Sequence, residues 1–314
     1  MTTTPAARVL ALTVSLTCAA AAQTVAPASS TVSAQPVFKA ESRLVVLHVS
    51  VRDRGGRYIT GLGKEAFTVI DDGRPQTLEM LTGDDVPASV GLLIDNSSSM
   101  GPARERVVAA STAFASNSHP QDEVFVLTFN EHVRQAWAPT PIAQTSPEVF
   151  ARTVGQAITA RGMTAIHDGI LEGLKMVRRG AHSRQVLILV SDGGDNASKS
   201  SVDDVLREVR YSDATIYTVA LDDALTGDGN PRLLERLARA TGGEAFAPRT
   251  LQELPRAFER IARDIRSAYT LAYVPKKGLG SNDDGRLASP RRSASSCTPN
   301  ACPPTEPRTA AIIP

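Results

Sequence analysis

Alternation between apolar and polar residues marks the first predicted strand. Apolar side chains occupy every second position over residues 45–51, which is the period of a strand with one buried face. A second apolar run over residues 67–70 is followed by Asp-Asp-Gly-Arg at residues 71–74 and by a third run over residues 76–81. An Asp-Gly pair between two such runs predicts a β-hairpin. We therefore predict a small β-rich unit over residues 38–84.

After Pro87, short apolar runs alternate with segments of helical period. The runs predict strands, and the segments with an apolar stripe predict amphipathic helices. The predicted strands cover residues 90–94, 123–129, 133–138, 186–190, 215–221 and 245–247. The predicted helices cover residues 102–117, 147–158, 165–178, 202–211, 231–240 and 251–268. Strands separated by helices indicate an α/β fold with a doubly wound, mostly parallel sheet and helices on both faces.

A terminal strand and two polar segments flank these patterns. Aromatic and β-branched residues predict the strand over residues 269–277. Beyond it, residues 278–314 are dominated by Gly, Ser, Pro, Asp and Arg without a period, so we predict a disordered tail. Residues 23–37 are small, polar and Pro-containing, which is typical of a flexible linker.

The first 22 residues have the pattern of a secretory signal peptide. Arg8 precedes an apolar run that ends in small residues near Ala22, and this run is too short to span a bilayer stably. Cys18 follows Thr17, and Ser15 stands where a bacterial lipoprotein signal has Leu, which disfavours a lipid anchor. We therefore expect cleavage near Ala22 and export to the periplasm or the extracellular space, with no membrane span afterwards.

Composition narrows the classes of partner. The chain has 314 residues, 42% of them hydrophobic, and a net charge of +1. It is long enough for a full core and about two domains, and its charge balance argues against binding to nucleic acid. After removal of the signal, Cys297 and Cys302 remain, and their spacing in an exported protein allows a small disulfide loop.

Oxygen-bearing side chains follow two of the predicted strands. Asp95, Ser97 and Ser99 lie two residues apart after the strand over 90–94, so they can point the same way in an extended loop. Asp192 follows the strand over 186–190, and Thr164 precedes a predicted helix. Since the carboxyl ends of parallel strands form one edge of the sheet, the five oxygen donors can meet in one crevice there.

An all-oxygen set of two carboxylates and three hydroxyls suits Mg²⁺, with Mn²⁺ or Ca²⁺ as other candidates, and disfavours zinc. The two negative charges only just neutralise a divalent ion, so the metal stays electrophilic towards an incoming carboxylate. We therefore expect an Asp or Glu of a partner protein to complete the coordination. Taken singly, each residue also fits a local role, as a helix cap or turn former.

The motifs Asp95-Asn96-Ser97-Ser98-Ser99, Thr164 and Ser191-Asp192-Gly193 resemble the metal-ion-dependent adhesion site of von Willebrand factor type A domains. The resemblance covers about residues 85–268 and implies a Rossmann-like fold. It implies hydroxyl ligation by Ser97, Ser99 and Thr164. It also implies that Asp95 and Asp192 bind the ion directly or through water.

The flanking residues 49–53, 67–73 and 269–273 resemble a bacterial subgroup of exported proteins with such domains. That subgroup continues after its Tyr-Thr-Leu strand into another regular strand, whereas this chain continues into a Gly-, Ser- and Pro-containing segment. The departure predicts that the β-rich unit lacks an edge strand.

Five other polar residues are assigned structural roles. His48 has no second metal ligand near it in the sequence, and His167 lacks a Ser or Cys nucleophile motif, so we expect surface or packing positions. Asp168 fits a helix start, and Asp195 and Asn196 fit a hydrogen-bonded loop; the alternative for these last two is an approach to a bound partner.

The leading hypothesis is a non-enzymatic, exported protein-binding module that depends on a divalent cation. A metal-dependent hydrolase or phosphatase is an alternative, but the sequence lacks a phosphate cradle and a convincing base. The third hypothesis is a structural envelope protein in which the metal site is vestigial.

Overall fold

The computed structural model describes residues 44–53, 57–71, 73–83, 85–221, 229–275 and 311–313. The predicted signal peptide, the predicted linker and most of the predicted tail, with Cys297 and Cys302, lie outside the described residues. The strands are β1 Val45–Ser50, β2 Thr68–Asp71, β3 Arg74–Gln76, β4 Leu78–Thr82, β5 Ala88–Asp95, β6 Glu123–Phe129, β7 Val133–Pro141, β8 Arg184–Ser191, β9 Thr215–Ala220, β10 Ala245–Phe246, β11 Ala268–Tyr273 and β12 Ala311–Ile313. The helices are α1 Arg104–Asn117, α2 Pro147–Ala157, α3 Ile166–Val177, α4 Val202–Tyr211, α5 Pro231–Thr241 and α6 Leu254–Arg266.

A six-stranded sheet in the order β10-β9-β8-β5-β6-β7 forms the centre of the fold. All its neighbouring strands are parallel except β6 and β7, which are antiparallel. Every residue of β5 is buried, as expected for a parallel strand covered on both faces. The predicted α/β fold with a mostly parallel sheet is confirmed.

Helices cover both faces of this sheet. Leu92 of β5 lies in the core cluster that contains residues of α1, α2 and α6. Leu93, the next residue, lies in the opposite cluster with residues of α3, α4 and α5. Because successive side chains of a strand point to opposite faces, one uninterrupted apolar run anchors both helical layers. Among the described residues, no helix is long and apolar enough to cross a membrane.

Two predicted helices differ from the observed ones by two or more residues at an end. The helix predicted over residues 251–268 ends at Arg266, and Ala268 already belongs to β11, where it pairs with Ser50 of β1. Long-range strand pairing therefore replaces the last helical turn. The helix predicted over residues 102–117 begins at Arg104, because residues Ser98–Ala103 form a tighter 3₁₀ helix that contains Pro102.

The β-rich unit combines residues that are distant in the sequence. β11 lies between β1 and β4, antiparallel to both. The predicted hairpin is present, with Gly73 at a φ of 72° in its turn. However, its second strand is split, because β3 pairs with β2 whereas β4 pairs with β11.

At residues 311–313 the structure differs from the sequence-based prediction. Residues Ala311–Ile313 form β12, which pairs antiparallel with β2 through Ala311 to Ile70 and Ile313 to Thr68. This short apolar run was included in the predicted disordered tail, whereas the structure shows a strand there, because the free edge of β2 supplies backbone partners that no local pattern reveals. Since β12 pairs in the sheet β12-β2-β3 and not beside β11, the expectation that no regular strand follows β11 as an edge strand stays a prediction.

Candidate metal centre

Asp95 ends β5 and is completely buried. One carboxylate oxygen accepts a hydrogen bond from the Ser97 backbone N–H at 2.9 Å. The other accepts one from the Ser191 hydroxyl at 2.6 Å, and Ser191 ends β8, the parallel neighbour of β5. The pKa of Asp95 is raised to about 6. Burial is the main cause and the Asp192 carboxylate adds to it, whereas the hydrogen bonds from Ser191 and Ser97 act in the opposite direction.

Two hydroxyls connect the loop after β5 with Asp192. The Ser97 and Ser99 hydroxyl oxygens lie 3.1 Å apart. The Ser99 hydroxyl donates a hydrogen bond to the Asp192 carboxylate at 3.1 Å. Ser97 and Asp192 are buried, and Ser99 is half-buried. The structure therefore brings Asp95, Ser97, Ser99 and Asp192 together at the carboxyl ends of two adjacent strands.

The turn after Asp192 depends on glycine. Gly193 has a φ of 85°, a conformation that side chains disfavour. A Cβ atom at Gly193 would lie 2.6 Å from the Asn230 carbonyl oxygen, so there is no room for one. The Gly194 N–H donates to the Asp192 carboxylate at 2.8 Å, and the Asn230 N–H donates to the Asp192 carbonyl at 3.0 Å. These bonds fix the direction of the Asp192 side chain.

Asn96 fastens the segment before Thr164 to the loop after β5. Its side-chain oxygen accepts hydrogen bonds from the Thr159 and Ala160 N–H groups, both at 2.7 Å. Its carbonyl oxygen accepts one from the Arg161 N–H at 2.9 Å. The buried Asn96 therefore couples two loops that the chain separates by more than a helix.

Thr164 is buried and is held at the same edge by backbone bonds. Its N–H donates to the Asn196 side-chain oxygen at 2.7 Å, and its carbonyl oxygen accepts from the N–H groups of Asn196 and Ala197 at 3.0 Å. Within the part of the chain that the structure describes, the Thr164 hydroxyl makes no hydrogen bond, so it is available to a ligand. Thr164 thus joins the loop that follows β8.

The donor set, with two carboxylates and three hydroxyls, is of the kind that binds a hard cation. It is not a cluster of three or more His, Cys, Asp or Glu side chains, and the described ranges contain no such cluster. Among the same residues, neither Asp95 nor Asp192 forms an ion pair with Lys, Arg or His. Two neighbouring buried carboxylates without a counter-charge are costly, and a divalent ion bound also by hydroxyls would remove that cost.

The comparison with known families agrees with this geometry. Residues 89–260 match the family model of the von Willebrand factor type A (VWA) domain. The chain belongs to the VWA family. VWA domains are interaction modules that bind protein partners.

Relatives of this VWA protein are distant. It is 25% identical to human inter-alpha-trypsin inhibitor heavy chain H3 over 207 residues, which cover 60% of this chain and 22% of that protein. It therefore spans about a fifth of the curated relative it matches. The match to the Pongo abelii protein of the same name is also 25% identical over 207 residues, and covers 60% of this chain and 23% of that protein.

Solved structures share the fold. A von Willebrand factor type A protein from Catenulispora acidiphila has a TM-score of 0.51 and 17% identity, with 73% of this chain and 52% of that chain covered. Proximal thread matrix protein 1 from the mussel byssus has a TM-score of 0.51 and 17% identity, with 63% of this chain and 51% of that chain covered. At these identities the likeness concerns the fold alone.

In this VWA domain, the loop after β8 caps α3. The Asp195 carboxylate accepts a hydrogen bond from the Ile166 N–H at 3.0 Å and lies 3.3 Å from the His167 Nδ1. The Ser198 hydroxyl oxygen accepts one from the His167 N–H at 3.0 Å. The Asp168 carboxylate accepts bonds from the N–H groups of residues 199 and 200, both at 3.0 Å. Burial alone would raise the pKa of Asp168, but these bonds lower it below its usual value.

The assigned structural roles agree with these contacts. His167 is half-buried, and its Nδ1 also lies 3.1 Å from the Ser200 carbonyl oxygen. His48 is on β1, an edge strand, where its Nδ1 lies 3.1 Å from the Thr270 hydroxyl oxygen.

Three residues support the VWA site in ways that the sequence-based prediction did not assign, since Ser191 and Asn96 were named only as parts of motifs and Asn196 only as a residue of a hydrogen-bonded loop. Ser191 holds Asp95, Asn96 holds the segment before Thr164, and Asn196 holds Thr164 itself. Ser191 and Asn196 lie beside Asp192, and Asn96 lies between Asp95 and Ser97. Their proximity to the predicted ligands was the available signal, but their partners lie dozens of residues away in the chain.

Proposed function

We propose that this chain is an exported, divalent-cation-dependent protein-binding module. In this proposal, Mg²⁺ is held by two carboxylates and three hydroxyls and accepts an Asp or Glu side chain of a partner protein. The five ligands are Asp95, Ser97, Ser99, Thr164 and Asp192. The observation that carries the proposal is the series of contacts from Ser191 through Asp95, Ser97 and Ser99 to Asp192, at one edge of the sheet.

The chemistry of this set favours an ion that remains open to a partner. Carboxylates and hydroxyls are hard oxygen ligands, which suit Mg²⁺ and also Mn²⁺ or Ca²⁺. Since hydroxyls are neutral, the bound ion keeps a strong attraction for a further anionic oxygen. A partner carboxylate can supply that oxygen, and the half-buried Ser99 places the site within reach of a partner.

The supporting contacts hold the donors in place before the ion arrives. Asp95 accepts bonds at both oxygens, and each oxygen still has a lone pair for water or metal. Asn96 and Asn196 fix the Thr164 segment from two sides. Prior ordering of this kind lowers the entropic cost of binding. Export is supported by the signal-like pattern of residues 1–22.

Titration calorimetry with MgCl₂, after removal of metal with EDTA, tests the metal site on the full chain. We expect the wild type to bind one ion and Ser99→Ala to bind at least about tenfold more weakly, because one oxygen of the set is lost. Ser116→Ala is the matched control, since Ser116 is exposed on α1. Equal Mg²⁺ affinity for Ser99→Ala and the wild type would contradict the assigned ligands.

Capture from a bacterial envelope extract tests the protein-binding part. The wild type should retain a protein in Mg²⁺ and release it in EDTA, whereas Ser99→Ala should retain little in either buffer. If Mg²⁺ binds but the retained proteins are the same with and without EDTA, the ion has a structural role and the proposed binding function is wrong.

A further inference from the structure

The segment that carries Thr164 is held firmly along most of its backbone. Besides the bonds to Asn96, the Gly162 carbonyl oxygen accepts hydrogen bonds from both the N–H and the hydroxyl of Ser98, at 3.1 Å. The Arg161 carbonyl accepts one from the Asn130 side chain at 3.1 Å, and the Met163 N–H donates to the Glu131 carboxylate at 2.8 Å. We call residues 159–165 the Thr164 loop. This network gives the loop a defined shape without regular secondary structure.

Glycine at position 162 is part of that shape. Gly162 has a φ of 88°, and a Cβ atom there would lie 2.3 Å from a Glu131 carboxylate oxygen. The same carboxylate holds the next residue, Met163. The backbone therefore turns sharply at the site and presents residue 163 outward.

Met163 is an exposed apolar residue of this loop. Half of its surface is exposed, although it directly precedes the buried Thr164. Single exposed apolar residues are common on protein surfaces, but Met163 stands on a loop held by hydrogen bonds and next to a proposed metal ligand, where an approaching partner meets it. Methionine adapts its shape to different apolar partners, which suits a recognition surface.

Arg161 adds positive charge to the same loop. Its side chain is exposed, and within the described residues it makes no ion pair. The Glu131 carboxylate lies against the same loop and offsets part of this charge. Arg161 and the bound cation together attract acidic segments from solution and accelerate their approach.

We propose that Met163 and Arg161 form an apolar and basic rim that selects the partner of the metal site. The rim favours an acidic segment with an apolar side chain within two residues of the Asp or Glu that binds the metal. This inference rests on the proposed function, because the metal site anchors the segment.

Backbone dimensions set the spacing. Consecutive Cα atoms are about 3.8 Å apart, so the Met163 side chain starts close to that of Thr164. An extended partner advances about 3.3 Å per residue. An apolar side chain one or two residues from the metal-bound carboxylate is therefore within reach of Met163. Since the loop is already ordered, its contact with such a side chain costs little further entropy.

Selection from a random heptapeptide display library tests the rim. The library is bound to the full chain in Mg²⁺ and eluted with EDTA, so that only metal-dependent peptides are recovered. From the wild type we expect peptides with an Asp or Glu, an apolar residue within two positions, and further acidic residues. These peptides should bind Met163→Gln about three- to tenfold more weakly, because an apolar contact is lost.

Two controls separate the rim from the metal site. Val149→Gln changes another exposed apolar residue, on α2, and should select the same peptides as the wild type. Arg161→Gln should lose only the preference for additional acidic residues. Mg²⁺ affinity, measured by calorimetry, should be unchanged in all three variants.

The outcomes distinguish the two proposals. If acidic peptides are eluted by EDTA without enrichment of apolar neighbours, or if Met163→Gln selects the same peptides, the rim is wrong and the metal-dependent function stands. If the wild type yields no peptide that EDTA releases, both the rim and the proposed function are overturned.

Discussion

At the scale of single residues, Asp95 is a buried carboxylate at the candidate metal site. It is fully buried, yet it sits within a set of oxygen atoms rather than beside a cation of the protein. Its hydrogen bonds orient the Ser97 backbone and the Ser191 hydroxyl. The cost of burying the charged carboxylate is the reason that its pKa is raised.

This raised pKa predicts the pH dependence of stability without metal. The pKa is about 6 in the folded chain and about 3.9 in an unfolded chain. The folded state therefore holds the proton more tightly, so the stabilisation is complete below about pH 4 and is lost as the pH rises through about 6. In EDTA at pH 7.5, Asp95→Asn should be more stable than the wild type, by up to about 3 kcal/mol.

Urea unfolding from pH 4 to pH 8 in EDTA measures this difference. The wild type should lose stability relative to Asp95→Asn across that range. Addition of Mg²⁺ at pH 7.5 should stabilise the wild type but not the variant, since a ligand stabilises the state that binds it. Parallel stability curves for the two proteins would contradict the assignment of the raised pKa.

At the scale of elements, α3 begins beside the candidate metal site, and its N-cap residue does not cap it. Its N-cap residue, Ala165, has no side-chain hydrogen bond to the helix. Asp195 and Ser198, from the loop after β8, accept the free N–H groups of Ile166 and His167 instead. The helix and the loop that carries Asn196 therefore support each other, and both position Thr164.

Loss of this remote cap should be measurable. Asp195→Ala removes the acceptor of the Ile166 N–H and should lower the free energy of unfolding by about 1–2 kcal/mol, the usual cost of a lost N-cap. The comparison variant is Asp203→Ala, because Asp203 is exposed in the first turn of α4, whose cap is Ser201. Its loss should cost only a few tenths of a kcal/mol.

Urea denaturation gives both values, and calorimetry adds a second observation. We expect Asp195→Ala also to weaken Mg²⁺ binding, because the neighbouring Asn196 holds Thr164. Equal denaturation midpoints for the two variants would show that the remote cap does not support α3.

At the scale of the whole molecule, the β-rich unit joins the two sides of the VWA domain sequence. β1 to β4 precede the domain, whereas β11 and β12 follow it. Tyr269 of β11 packs against Phe67, with ring centroids 5.1 Å apart, and its hydroxyl accepts a hydrogen bond from the Leu62 N–H at 3.0 Å. Long-range strand pairing thus joins the segments before and after the VWA domain into one β-rich unit.

The contribution of β12 can be tested by deleting residues 311–314. β2 would lose its antiparallel neighbour on one side, so the amide groups of Thr68 to Ile70 should exchange hydrogen at least about tenfold faster. The buried amides of β5 should be unaffected, because β12 is absent from the six-stranded sheet. Hydrogen exchange measured by mass spectrometry reports both regions. Unchanged exchange at β2 would mean that β12 does not protect it.

Local patterns were accurate where an element depends on its own residues. The boundaries of β6 and α4 agree with the prediction, because apolar runs and helical stripes reflect the burial of nearby side chains. The same reasoning failed at Ala268, which has a place in a helical stripe but pairs with Ser50 instead. It failed again at the second strand of the hairpin, whose two halves join different sheets.

The sequence by itself indicated the α/β order of elements and the five candidate oxygen donors, since each element and each donor is marked by a pattern of neighbouring residues. Only the tertiary structure decided how Ser191 and Asn196 support Asp95 and Thr164. It also decided that Ala311–Ile313 completes β2. These contacts join residues far apart in the chain, and their partners are fixed by packing and strand register rather than by any local period.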